Sequence, residues 1–172
     1  MICSRCLAIA AVLLVGSTTA TAQRMQPSPT DLRAAYCMVS VDDDRRMSET
    51  VVTELNKDPV FAFADLLEIN KGLVNAAKAN FQKLQLYLQP RVDSLILNPL
   101  AAAQQSARDD IARLARNIAT CVKACPIPTG ATSSQTRDGY ECTKACWLTD
   151  MPDRPTVLGK RQSCRELSWL PI

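Results

Sequence analysis

The residues best placed to do chemistry in this chain of 172 residues are its eight cysteines, and four of them form two C-x3-C units, Cys121 with Cys125 and Cys142 with Cys146. On a helix, residues four apart project from the same face one turn apart, so each unit presents two sulfurs in line. Antiparallel helices bring together residues whose numbers keep a constant sum. Cys121 with Cys146 and Cys125 with Cys142 meet that condition. The spacing therefore predicts two disulfide rungs across a helical hairpin, and elimination leaves Cys37 for Cys164. The chain-entropy picture values that long closure at about 5 kcal/mol, against about 3 kcal/mol for the inner rung. Two other uses of the sulfurs compete with this one. A four-thiolate metal site normally starts from C-x2 spacing, and a redox-active thiolate normally sits at a helix start, whereas Cys121 and Cys125 close one. No metal and no cofactor are expected.

The chain has no histidine. That removes the Ser-His-Asp triad, the Cys-His pair, the HExxH zinc site and proximal-His haem ligation. A net charge of +3, from 20 basic and 17 acidic residues, gives no electrostatic footprint for nucleic acid. Carboxylate chemistry remains open. Asp42, Asp43 and Asp44 lack the alternating spacing of a calcium loop and run into Arg45 and Arg46, which predicts a solvated charge cluster. Asp109 and Asp110 could flank a glycosidic bond. Arg113, one turn on from both, predicts ion pairing on an exposed helix face instead, as Lys71 does for Glu68.

The elements that must position these groups are punctuated by proline. Residues 1–22 have the order of a secretory signal: Arg5, the apolar run Leu7 to Gly16, then small residues ending at Ala20 and Ala22. Cleavage there removes Cys3 and Cys6 and leaves six cysteines and no membrane span in a single helical domain, 23–172. Ser28-Pro29 is a cap followed by a first-turn proline and opens an N-terminal helical segment, 29–56, with Leu32, Ala35, Tyr36 and Val39 on one face. It continues through Met47, Val51 and Leu55, as one helix or as two with Ser40 capping the second. Asp58-Pro59 opens a long helix, 59–89, that Pro90 ends. Its seam is Phe63, Leu67, Asn70, Val74, Ala77, Phe81, Leu84 and Leu88, with Asn70 the one polar member. Asn98-Pro99 opens a third helix, 99–125, whose face is Leu100, Ala107, Ile111, Leu114, Ile118, Cys121 and Cys125. Helices 59–89 and 99–125, joined by a buried turn at Leu95-Ile96-Leu97, should fold back on each other. A short helix, 139–148, carries the second C-x3-C unit, Pro152 and Pro155 close it, and Ser163 to Leu170 has room for two turns. Phe61 and Trp147 are expected in the core or lining a groove.

The pair of C-x3-C units resembles the twin CX3C helical hairpin of the small chaperones of the mitochondrial intermembrane space and of small plant helical-hairpin peptides. The resemblance covers only Cys121 to Cys146 and implies a structural motif, not an activity. The expected molecule is an all-α, disulfide-stapled bundle with a long antiparallel hairpin, exported to the periplasm or extracellular space. It is expected to be non-enzymatic and to act through protein–protein contacts on its helical surface. Two alternatives stand beside this one. If the N-terminal segment leaves the hairpin partly uncovered, Phe63, Leu67, Val74, Phe81, Leu84 and Leu88 become a groove for a partner or a small apolar ligand. A carboxylate-only hydrolase of the lysozyme type needs two inward acids.

Overall fold

The structure, a computed structural model, describes residues 24–57, 64–125, 139, 141–142, 145–146 and 154–171. Residues 1–22, where a signal is expected, the Asp58-Pro59 start with Phe61 and Phe63, the 126–138 connection and Trp147 lie outside these residues. Four helices are described: α1 (Pro29–Lys57), α2 (Ala64–Val92), α3 (Leu97–Lys123) and α4 (Arg154–Glu166). Beyond them, Gly139, Glu141, Cys142, Ala145 and Cys146 are helical.

Helix α1 starts where its local chemistry dictates. Ser28 Oγ accepts from the Asp31 N–H at 3.2 Å and Asp31 returns the bond, accepting from the Ser28 N–H at 2.8 Å. Tyr87 Oη of α2 donates to the other Asp31 oxygen at 3.0 Å, so the cap of one helix is fastened to the end of the next. α1 then runs unbroken through Asp42–Asp44 to Lys57. It does so because side chains outside α1 neutralise two of the three acids.

α1 is the middle of the bundle. Both α2 and α3 pack along it, and α4 lies across it; α2 and α3 meet each other hardly at all. The long antiparallel hairpin is therefore α1 with α2, whereas the sequence pattern pointed to helices two and three. A helix with neighbours on several sides buries more than one stripe: Ala34, Ala35, Cys37, Ser40 and Val41 are all enclosed. The seam on α2 packs as its spacing implies. Asn70, Val74, Ala77, Leu84 and Leu88 are buried, and Leu67 and Phe81 half-buried. Ala77, Leu84 and Leu88 join the core under α1, while Val74 and Phe81 also line shallow grooves beside it.

Two boundaries differ from the proline signals. α2 continues past Pro90 to Val92, because a proline in the final turn frees only one carbonyl, that of the exposed Leu86. α3 begins at Leu97 with Ile96 at its cap position, and Pro99 falls within the first turn, where its missing N–H has no helical partner to lose. The Ile96 N–H is instead used by the segment before α1, donating to the Met25 carbonyl at 2.9 Å while the Met25 N–H donates to Ser94. Leu95 is buried beneath this bridge and Leu97 is exposed. Pro155, read as a terminator, stands in the first turn of α4.

Disulfides join Cys37 to Cys164, Cys121 to Cys146 and Cys125 to Cys142, the pairing that the constant-sum rule and elimination gave. Among the described residues no helix is long and apolar enough to cross a membrane.

Candidate functional site

Three arrangements could carry a function: the sulfur cluster, the ion pairs around α4, and the apolar surface of the α1–α2 hairpin.

The sulfurs of Cys125, Cys142 and Cys146 lie within 4.8 Å of one another, and Cys125 Sγ approaches Cys146 Sγ to 3.7 Å. All three belong to the two rungs. A metal would need thiolates, and these atoms are committed to covalent bonds. The arrangement is a staple between the end of α3 and Cys142 and Cys146.

The acids on α1 are divided by geometry. Asp42 stays with its own helix, paired to Arg45 at 2.6 Å and Arg46 at 2.8 Å. Asp43 and Asp44 face α4, where Arg161, with a side chain only 6% exposed, reaches both. Arg165 adds a bond to Asp44 at 2.9 Å. Burial pushes the Asp44 carboxyl toward its neutral form, but the hydrogen bonds from Arg165 and Arg161 outweigh it and hold its pKa below the usual value. The expected solvated cluster is thus half of an inter-helix lock. The pattern Arg45-Arg46 obscured this, since nearby arginines seemed to satisfy all three acids.

Asp109 and Asp110 separate in the same way. Asp109 is exposed and accepts from Gln105 at 2.9 Å. Asp110 is buried, not exposed as expected, and accepts from Tyr36 at 3.0 Å, Lys160 at 2.9 Å and Arg113 at 2.8 Å. Burial favours the neutral acid, yet Lys160 and Tyr36 hold Asp110 below the ordinary carboxylate range. Burial and the Asp110 hydrogen bond push the Tyr36 phenol well above its ordinary value, so it remains a donor. One acid on each of two faces cannot flank one scissile bond. Glu68 pairs with Lys71 at 2.8 Å on the surface.

The apolar surface was not legible as a site. Leu66, Ile69 and Leu73 form a stripe on α2 beside the buried seam, and Ile69 and Leu73 are 59% and 50% exposed. Leu73 also lines a groove of about 390 Å³ with Met47, Val51, Val41 and Ala77. Asn70 sits in its wall, bonded to the Leu66 carbonyl at 2.8 Å. Met47 and Val51, which share a face of α1, form the rim and are also exposed. The available signal was a second apolar set on α2, where Leu66, Ile69 and Leu73 accompany the seam positions 67, 70 and 74. A single buried stripe needs only one of the two sets.

Comparison of the chain with protein-family models, with curated proteins and with solved structures gives no match.

Proposed function

We propose that the protein is an exported, non-enzymatic binding module that engages a protein partner through the exposed apolar face of the α1–α2 hairpin. The observation that carries this reading is the continuity of Leu66, Ile69 and Leu73 with the Met47–Val51 rim. Contiguous apolar surface on a soluble helix pair is costly in water and marks a contact site more often than isolated exposed residues do. A shallow groove between two helices suits an apolar helix of a partner. Three disulfides favour an oxidising compartment, the periplasm or the extracellular space, and the apolar leader supports export. The acids tied up as ion-pair acceptors speak against the hydrolase alternative.

Native mass spectrometry of protein exported into an oxidising compartment, with Ile69→Glu/Leu73→Glu beside it, tests the reading. The expected result is a complex of fixed stoichiometry, with itself or a second protein, that the double variant loses while keeping its helix content and disulfides. A wild-type chain that is monomeric and unaccompanied at every concentration, or a complex indifferent to the two substitutions, overturns it.

A further inference from the structure

We infer that a second groove, at the N-terminal half of α1, binds single-chain carboxylates: amphiphiles with one negative head and an unbranched apolar tail. The groove, of about 520 Å³, lies between α1, α3 and α4 and is lined by Leu32, Tyr36 and Ala103, with the Cys37–Cys164 bridge at its base. That volume falls in the roughly 300–1,000 Å³ range of small-molecule sites. It lies toward the opposite end of α1 from the Met47–Val51 rim, so it is independent of the proposed protein contact.

Two cations stand at this groove, and they differ in a way that selects the ligand. Lys160 is occupied, paired with Asp110 at 2.9 Å and set 5.3 Å from the Tyr36 ring. Arg33 has no carboxylate partner among the described residues. Its guanidinium donates to the Ser163 hydroxyl and stacks on the Trp169 ring at 4.4 Å. Stacking fixes the plane of the guanidinium and leaves edge N–H groups for an anion, the geometry in which arginine binds a carboxylate in bidentate fashion. An apolar trough beginning at such a group complements a carboxylate on a hydrocarbon chain.

Gly159 gives independent support. It lies inside α4, where glycine costs up to about 1 kcal/mol relative to alanine. Its backbone is not in the left-handed region, and a Cβ built there meets nothing within 4 Å. Neither sterics nor conformation requires a glycine. Its one local consequence is an open wall, because Gly159 lines the groove.

The test titrates the full disulfide-bonded protein calorimetrically with sodium decanoate and with decanol, comparing wild type, Arg33→Gln and Gly159→Leu. Decanoate is expected to bind at one site, at least tenfold more tightly than decanol. Arg33→Gln should cut decanoate affinity about tenfold and leave decanol unchanged. Gly159→Leu should remove binding of both while its melting temperature holds or rises, which separates a filled groove from a misfolded chain. Absence of saturable decanoate binding overturns the inference, as does binding that neither variant alters. Ile69→Glu/Leu73→Glu should leave decanoate binding intact, so the two sites fail or stand separately.

Discussion

Arg161 of α4 and Asp44 of α1 meet across 117 residues of sequence, the guanidinium almost wholly buried against a carboxylate that Arg165 also holds. The pair fixes where α4 crosses α1. Removing Arg161 leaves Asp44 to Arg165 alone and Asp43 without its partner on α4, whereas replacing both Arg161 and Asp44 by apolar groups removes the unmatched pair. Arg161→Ala is expected to cost about 1–3 kcal/mol, since Arg165 still holds Asp44, and Arg161→Met/Asp44→Leu less than the sum of its single changes. Urea unfolding of the four proteins in a double-mutant cycle measures the difference.

The same carboxylate sets an acid limit. Asp44 and Asp110 both have folded-state pKa values below the ordinary Asp value of 3.8, which the unfolded chain restores. Between the folded and unfolded values the unfolded state binds more protons, so stability rises with pH through that window. The contribution is complete above the unfolded value and is lost as pH falls through the folded ones. Unfolding midpoints should be flat from pH 7 to about 5 and drop steeply below 4. Asp44→Asn, less stable at pH 7, should show a shallower drop.

The disulfide between Cys37 and Cys164 closes a loop of 127 residues. For a closure of this size the chain-entropy picture gives about 5 kcal/mol. Cys37→Ser/Cys164→Ser should lower stability by several kcal/mol, with hydrogen exchange of α4 amides rising first, because α4 rests chiefly on α1. Cys121→Ser/Cys146→Ser should leave α4 protected and loosen only the end of α3. Equal exchange in α4 for both variants would contradict this division.

How far the fold could be read from the sequence follows from what each signal depends on. The disulfide pairing was legible because C-x3-C spacing and antiparallel register are both local rules. The α2 seam was legible because steps of three and four persist from Leu67 to Leu88. The partner of α2 was not, since a stripe on one helix does not say which neighbour covers it, and α1, enclosed on several sides, shows no clean stripe of its own. α4 was missed for a related reason. Its buried surface includes Arg161, whose burial depends on acids more than a hundred residues away, as does the ion pair of Arg165. The candidate surface on α2 is hidden by the seam beside it: periodicity picks out residues 67, 70 and 74, and nothing in it says that Ile69 and Leu73 lie outside what α1 covers.

Ser40 tests the enclosure of α1 directly. It lies within α1, fully enclosed, and its hydroxyl is the one buried side-chain polar atom among the described residues with no hydrogen-bond partner. A serine inside a helix commonly bonds back to the carbonyl four residues earlier; here it does not. Carrying that hydroxyl out of water without compensation costs about 1–3 kcal/mol. Ser40→Ala removes the cost, adds a little helix propensity and leaves a void no larger than one oxygen. The expected outcome is a gain of about 1 kcal/mol, read as a higher urea midpoint with an unchanged slope. Ser40→Val, which adds volume at a position only 1% exposed, should destabilise instead. If alanine proved destabilising by more than 1 kcal/mol, the hydroxyl would have to be bonded in solution, and a buried water between α1 and its neighbours would be the group to look for.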